Sequence, residues 1–390
     1  MQNNFKQSYD YIFAGGGAAG LSLAYRMVNS PLKGRSILMI DREIKDQNDR
    51  TWCFWNNHPT PFDSIVFRGW EKLQFISDEF NKEFNLSPYQ YKMIRGIDLY
   101  RFTRQALEDS MCVNIIHGNV DKIIDGSEFA EVRTGDDTYH GNWVFDSLWR
   151  PNELNPDPSR FHSIKQHFKG LEIDTNEYIF YPSTVTLFDF RTPQKGAMRF
   201  IYILPFSARR ALVEYTLFSA DLLAEEEYDK GLKDYIESVL RIHSYEIMSV
   251  ETGSIPMTDY PFQRRGGQRV INIGTKGGRV KPSTGYAFLR IQKDSDAILS
   301  SLLKNEPPIA TTEERWDTRL NDSIMLQLMY RRGDIMKSIF TDLFKNNPIQ
   351  RIFQFLDERG SIWSNLPVLL SLNPTPFLQA WFKIKVLRKI

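Results

Sequence analysis

The chain opens with a run of apolar residues that ends in glycines. Residues 9–14 (YDYIFA) read as a strand, which runs into Gly15-Gly16-Gly17-Ala18-Ala19-Gly20. From Ala19 to about Asn29 the apolar positions Leu21, Leu23, Ala24, Met27 and Val28 fall at helical spacing, and Pro31 and Gly34 close the helix. Residues 36–40 (SILMI) read as a second apolar strand that stops at Asp41. Together these form a strand–helix–strand unit of about 30 residues.

Residues 46–95 are aromatic and irregular, without a clean period. Asp98 reads as the N-cap of a helix to about Met111. Strand-like runs at 113–117 and 120–124 precede a predicted hairpin, 128–134 with 138–146. A Pro-rich break at 150–158 marks a crossover between domains. Residues 161–220 alternate as several strands of a sheet, and 221–241 form a charged amphipathic helix. A short apolar strand at 270–274 leads into a Gly-rich turn and a helix from Thr284 onward. Residues 311–390 are mostly helical, with breaks at Gly333, Pro348, Gly360, Pro367 and Pro374. There are no internal repeats or low-complexity tracts.

Composition narrows the picture. The 390 residues are 42% hydrophobic, 25% charged and carry a formal charge of +1, which excludes intrinsic disorder. With 49 basic and 48 acidic side chains, no global basic excess exists to neutralise phosphates, which argues against a dedicated nucleic-acid binder. Two cysteines, Cys53 and Cys112, cannot form a disulfide framework. Residues 1–9 are polar with no apolar leader, so a reducing cytoplasm is expected. No apolar run approaches about 18 residues, and no transmembrane helix is expected.

The motif Gly15-x-Gly17-x-x-Gly20 stands where its chemistry requires, after a strand and at the mouth of a helix. The first glycine permits the tight turn, the second lets the backbone approach a pyrophosphate, and the third lets helix and strand pack closely. Free N–H groups and the positive dipole end of the helix then face the phosphates. Asp41 lies 21 residues beyond Gly20, where a carboxylate accepts from a ribose hydroxyl. An acid there favours adenosine without a 2′-phosphate, hence FAD or NAD.

FAD is preferred. The fingerprint lies near the start of the chain, and a late strand ends in Ile273-Gly274-Thr275, followed by Gly277-Gly278 and Pro282-Ser283-Thr284-Gly285. That cluster is either the returning strand–helix element that closes a flavin site or a surface loop. Val144-Phe145-Asp146-Ser147 reads as the strand end that returns to the nucleotide domain. The predicted fold is α/β: a Rossmann-like FAD-binding domain of a two-domain flavoprotein, of the glutathione-reductase or aromatic-hydroxylase type, with an antiparallel-sheet substrate domain and a helical C-terminal region. Residues 8–60, 96–150 and 250–300 are assigned to the first, 61–95 and 151–249 to the second, and 301–390 to the third.

Further blocks carry a family resemblance: Asn48-Asp49-Arg50-Thr51-Trp52-Cys53-Phe54-Trp55; Leu204-Pro205-Phe206 through Val213-Glu214-Tyr215-Thr216; Gly253-Ser254-Ile255-Pro256-Met257; and Ile273-Gly274-Thr275 through Thr284-Gly285-Tyr286-Ala287-Phe288. With the fingerprint they span about residues 9–290, and the chain resembles the bacterial FAD-binding lycopene beta-cyclases. The last block is the most specific; the C-terminal hundred residues match only in being helical. The resemblance implies a non-redox ring closure. A proton added to the terminal double bond of lycopene gives a tertiary carbocation, the neighbouring double bond closes the ring, and loss of a proton gives the beta ring, first in gamma-carotene and then in beta-carotene. It implies reduced FAD, NADPH or NADH as the reductant, lycopene and other linear carotenoids as substrates, and no metal.

Glu214 is the acid the resemblance selects. Read from the strand alone it faces solvent or pairs with Arg209 or Arg210. Trp52, Phe54 and Trp55 either line a polyene tunnel or pack in the core. Arg50 reaches the FAD or forms a surface ion pair, and Val120 meets the adenine or is a core valine. The cofactor set is therefore Gly15, Gly17, Ala19, Gly20, Asp41, Arg50, Val120, Gly274, Thr275, Gly277, Gly278, Thr284 and Gly285. Cys53 reads as a small buried residue, and the six histidines show no metal-ligand spacing. The tail at 377–390 mixes aromatic, aliphatic and basic residues, so peripheral contact with an anionic membrane surface is expected beside simple packing. Two other classes stay open: a redox flavoenzyme of the same fold, such as a monooxygenase, halogenase or prenyl reductase, and a non-catalytic carotenoid carrier.

Overall fold

The computed structural model describes residues 7–150, 154, 156–308, 315–358 and 360–388, with only the backbone described at Gln7, Ile362, Leu387 and Arg388. In chain order the strands are β1 (Gln7–Ala14), β2 (Ile37–Asp41), β3 (Thr51–Asn56), β4 (Arg68–Trp70), β5 (Lys72–Ile76), β6 (Asn81–Asn85), β7 (Gln90–Arg95), β8 (Val113–His117), β9 (Lys122–Ile124), β10 (Ala130–Thr134), β11 (Asp137–Asp146), β12 (Ser163–Thr175), β13 (Thr184–Asp189), β14 (Met198–Pro205), β15 (Arg210–Ser219), β16 (Tyr245–Thr258) and β17 (Val270–Asn272). The helices are α1 (Ala18–Val28), α2 (Gly96–Glu108), α3 (Glu225–Asp234), α4 (Phe288–Leu303), α5 (Trp316–Arg331), α6 (Met336–Asn346), α7 (Ile349–Leu356), α8 (Ile362–Leu370) and α9 (Pro374–Arg388).

The first sheet runs β8-β2-β1-β11-β10-β9, with β17 beside the end of β11. Strands β8, β2, β1, β11 and β17 are parallel, while β10 and β9 pair antiparallel. Buried parallel strands are apolar on both faces, and β1 shows why. Tyr11 and Phe13 face α1, α2 and α4, packing with Leu21, Ala24, Met27, Ile291 and Ile298. Ile12 and Ala14 face the opposite core, with Val132, Tyr139 and Val144.

The second sheet runs β16-β12-β15-β14-β13-β5-β6. Its alternation separates two environments. Leu171, Ile173, Ile201, Ile203, Val213, Tyr215 and Leu217 pack against Leu232, Tyr235 and Ile236 in and after α3. The alternate residues Phe168, Phe200, Tyr202, Glu214, Thr216 and Phe218 face inward. A small third sheet, β3-β7-β4, joins the two, and α5–α9 close the inner side through Leu326, Ile339, Phe344, Ile352 and Phe353.

Several predicted elements shift. Residues 46–95 hold five strands, β3 to β7, rather than an irregular stretch. Strand β16 pairs along β12, so residues 250–258 lie in the second sheet rather than with the nucleotide-side elements. Helix α2 starts at Gly96, and Asp98 in its first turn takes Arg95 as partner at 2.6 Å instead of capping. The helix expected from Thr284 starts at Phe288, because Gly285 has φ +74° and completes a turn there. The helix expected over 221–241 is α3 followed by a wider helical turn at Tyr235–Val239. Pro367 lies within α8 rather than ending a helix. Of the expected break at 150–158, residues 151–153 and 155 lie outside the described residues, as do 1–6, 309–314, Arg359, Lys389 and Ile390.

Candidate active site

The glycine turn is shaped by close approach. Gly15 has φ +103°, and a Cβ there would stand 2.4 Å from the Ser147 hydroxyl oxygen. A Cβ on Gly20 would stand 2.4 Å from the Gly15 carbonyl oxygen, so α1 can sit this near the turn only with glycine. Gly17 differs, since a Cβ there meets nothing within 4 Å. Its open side borders the cavity at the N-terminus of α1, where unpaired N–H groups gather. Asp41 closes the turn: its carboxylate accepts from the Gly16 amide at 2.5 Å and the Glu43 amide at 2.7 Å. From the end of β11, the Ser147 hydroxyl donates to the carbonyls of Ala14 and Gly15, and Asp146 is paired with Lys276 at 2.5 Å.

A cavity of about 1110 Å³ runs from this turn to the inner face of the second sheet. That exceeds the usual range of about 300–1000 Å³ for ligand pockets. Its polar end is lined by Gly15, Gly17, Ala19, Asp41, Arg50, Val120, Gly274, Thr275, Thr284 and Gly285. Its apolar end holds Phe188, Phe200, Phe218, Phe340, Leu343 and Phe377. Arg50 is exposed and donates to the Asp49 carbonyl, and the Val120 carbonyl accepts from Arg150 at 2.9 Å, in the turn between β8 and β9 rather than at a strand start. Several buried polar atoms on the wall have no protein partner: the Thr284 hydroxyl, the Gln166 amide oxygen, and the indole N–H groups of Trp52 and Trp55. Such atoms await a ligand or water. The open cradle at Gly17, at the N-terminus of α1, fits the pyrophosphate of a dinucleotide laid along the turn.

Four sequence-selected residues lie away from the cavity. Gly20 sits beneath the turn, against the Gly15 carbonyl. Gly277 and Gly278 are packing positions, where a Cβ would meet Asn272 and Phe262 at 2.4 Å and 2.9 Å. Phe54 is buried in the nucleotide-side core, its ring stacked 4.8 Å from Phe288. Trp52 and Trp55 do line the cavity, Trp55 stacking on Phe353 at 4.7 Å and meeting the edge of Tyr286 at 4.6 Å.

Glu214 points inward from the middle of β15 and is only 8% exposed. Arg209 and Arg210 instead pair with Asp174 and Glu172. Burial, then the nearby Glu251 carboxylate, push the Glu214 carboxyl up to about 8, against the lowering effect of a hydrogen bond from Thr216. A phenol chain borders the same region: the Tyr202 hydroxyl donates to Tyr91 at 2.6 Å, and Tyr91 bonds Tyr286 at 2.8 Å. Burial holds these phenols un-ionised and pushes the adjacent Cys53 thiol up to about 12. Among the described residues, no three His, Cys, Asp or Glu side chains converge as metal ligands. His162 is bound to Asp259 and Gln327, and His167 to Ser219 and Tyr228.

Glu251, Thr216 and the three tyrosines were not singled out from the sequence. Glu251 stands two residues before the Gly253-Ser254-Ile255-Pro256-Met257 block, of which Gly253, Ser254, Ile255 and Pro256 line the cavity. Its nearness to that block is the available signal.

The whole-chain comparisons agree with this geometry. Solved structures with the same fold include a geranylgeranyl bacteriochlorophyll reductase-like protein from Thermoplasma acidophilum (TM-score 0.62, 11% identity, 97% of this chain and 99% of that one). A flavoprotein/dehydrogenase from Cytophaga hutchinsonii (0.60, 13%, 97% and 99%) and p-nitrophenol 4-monooxygenase from Pseudomonas putida (0.57, 12%, 98% and 99%) are also similar. The chain is thus an α/β protein with the fold of two-domain flavoproteins. In sequence it is 23% identical over 300 residues to a chloroplastic lycopene beta cyclase of an Oncidium hybrid cultivar, covering 72% of this chain and 61% of that protein. It is 22% identical over 207 residues to a lycopene beta-cyclase of Pseudescherichia vulneris, covering 50% and 53%. The matched stretches thus span a little over half the length of these relatives. The family model described as lycopene cyclase protein matches residues 10–381, and the chain belongs to that family.

Proposed function

We propose that the protein is a lycopene beta-cyclase that closes the linear ends of lycopene into beta rings by acid catalysis without net redox change. The observation that carries this is Glu214, a buried carboxyl held protonated near neutral pH in the wall of a cavity that is polar at one end and aromatic at the other. A neutral acid in an apolar pocket can protonate carbon and leaves little water to trap a cation.

FAD is the cofactor of this proposal. Gly15, Gly17, Ala19 and the α1 N-terminus would hold its pyrophosphate, Asp41 its ribose, Val120 its adenine, and Gly274, Thr275, Thr284, Gly285 and Arg50 its flavin side. When bound and reduced by NADPH or NADH, it supplies negative charge that steadies a nearby carbocation.

The chain's own residues do the rest. Glu214 gives its proton to the terminal double bond, breaking an O–H bond and forming a C–H bond. The faces of Trp52 and Trp55 and the phenol rings shelter the tertiary cation. Attack by the neighbouring double bond forms the ring C–C bond. The Glu214 carboxylate left by the first step accepts the ring proton and exchanges it with solvent between turnovers, so charge balances and no electrons are consumed. Phe188, Phe200, Phe218 and Phe340 hold the remaining polyene.

A polyene this apolar is delivered from lipid. Trp363, Leu370, Leu378 and Phe382 are exposed on α8 and α9, where Leu369, Leu370, Leu378 and Trp381 also line the cavity. Lys383 and Lys385 stand beside them on α9. This face is the proposed site of peripheral membrane contact. Among the described residues, no helix is long and apolar enough to cross a membrane.

Expression in a lycopene-accumulating host tests the proposal. Wild type turns red cells orange as cyclic carotenoids accumulate, and Glu214→Gln leaves them red. Cells that stay red with a flavin-loaded wild-type protein contradict it.

A further inference from the structure

Strand β12 lies between β15 and β16, and its Gly170 is the register partner of both Glu214 on β15 and Glu251 on β16. Residues directly opposite in antiparallel ladders project from the same face, so the two carboxyls stand in one row across the sheet. At about 4.8 Å per strand their backbones are roughly 10 Å apart. The position between them carries no side chain. A Cβ on Gly170 would lie 3.4 Å from the Cβ and Cγ of Glu214 and 3.0 Å from a Leu212 methyl, so any larger residue would enter the space beside the Glu214 stem. Both glutamates line the cavity.

Their surroundings differ. Burial, the largest effect, raises the Glu251 carboxyl above its ordinary value; the Thr51 hydroxyl, which donates to it at 2.6 Å, and the nearby Arg50 charge limit that rise and favour the anion. Glu214 has one charge-favouring bond, from Thr216. The groups that face it from other elements are Tyr202 on β14, Cys53 on β3 and Tyr286 before α4, together with Glu251. The phenols and thiol stay neutral well beyond pH 9 because they are buried. Glu251 is therefore the facing group whose charge changes in the acidic and neutral range.

We propose that Glu251 is a positioning residue for the proton: ionised and anchored by Thr51, it acts on Glu214 across the side-chain gap at Gly170 and keeps the donor protonated at neutral pH. The inference deepens the cyclase reading and rests on it for the role of Glu214. The pair then loses its first proton at Glu251 and its second at Glu214. Two like carboxyls pushed apart in this way give one acid and one fixed anion. A like charge at this separation, at the effective dielectric typical of proteins, moves the neighbour by about one pH unit.

The test uses the flavin-loaded full-length protein. The infrared carbonyl band of protonated Glu214, assigned by its loss in Glu214→Gln, is titrated in wild type, Glu251→Gln and Glu251→Asp. Glu251→Gln is expected to lower the band's midpoint by about one pH unit, with Glu251→Asp restoring most of the shift. Glu251→Ala serves as a second neutral variant should the amide disturb flavin binding, and gives the same shift. The alkaline limb of the kcat/KM profile moves down equally, while the plateau at lower pH is kept within about twofold. A midpoint unmoved in both neutral variants overturns the proposal. The infrared titration needs no substrate, so failure of the cyclase reading registers separately, as absence of cyclic product from wild type.

Discussion

The Thr216 hydroxyl donates to Glu214 Oε1 at 2.5 Å, two residues along the same strand and on the same face. The bond favours the carboxylate, yet burial and the Glu251 charge outweigh it. Thr216→Val keeps the shape and removes the donor. Its expected effect is a further rise of the Glu214 midpoint, by up to about one unit, and an alkaline limb displaced to higher pH. A limb displaced to lower pH contradicts the assignment.

The same carboxyl makes stability depend on pH. In the unfolded chain Glu214 titrates near its ordinary value of 4.5, whereas the folded protein holds the proton to about 8. A raised folded-state value means that the folded state binds more protons in this window. This contribution is therefore absent below about pH 4 and grows increasingly unfavourable as pH rises to 8. Glu214→Gln removes it. The variant is expected to match wild type in Tm near pH 4.5 and to exceed it by several degrees at pH 8, from at most about 4–5 kcal/mol. Equal Tm values at both pH values would show that Glu214 is ordinary.

Gly17 and Gly20 separate binding from folding. Gly17→Ala places a methyl in open space beside the α1 N-terminus, so Tm is expected to change by no more than a degree or two while bound flavin falls at least tenfold. Gly20→Ala drives a methyl against the Gly15 carbonyl and is expected to lower both flavin content and Tm. Flavin absorbance per protein, read beside a thermal melt, checks the pair.

These glycines also mark how far the sequence carried. The β1–α1–β2 unit was legible because a glycine turn, a helical period and a terminal acid coincide within one short stretch. The stretch at 46–95 was not, because its short strands take distant partners: β5 pairs with β13, far along the chain, and Trp70, Phe75 and Tyr91 are buried from all sides. Lys72-Leu73-Gln74-Phe75 and Gln90-Tyr91-Lys92-Met93 alternate over only four residues each, too short a run to stand out among the surrounding aromatics. Glu214 was chosen by resemblance, whereas burial by the sheet, α5–α9 and β3 is a tertiary fact. Glu251 is not legible because the first half of β16 mixes Ile247, Met248 and Val250 with Glu246 and Ser249 in no clean alternation, and only register places it opposite Gly170. Phe54 and Trp55 are adjacent in sequence but face opposite cores, and only pairing with β7 sorts them.

The exposed face of α8 and α9 gives a prediction that leaves the chemistry aside. The double variant Trp363→Ser, Phe382→Ser removes two large apolar side chains from it. Partition into anionic vesicles is expected to fall at least tenfold, since each ring buried in lipid is worth about 1.5–3 kcal/mol. Flavin content should stay at the wild-type level. Unchanged co-sedimentation with vesicles would place the membrane contact elsewhere.

The central claim is proton-driven ring closure with no electrons spent, and anaerobic turnover of lycopene in deuterated water by the reduced, flavin-loaded protein tests it most directly. The expected result is one solvent deuterium in each ring formed, many rings per flavin, and no nicotinamide oxidised beyond the initial reduction. Oxidation of one NADPH for each ring, or rings formed without solvent deuterium, would contradict it.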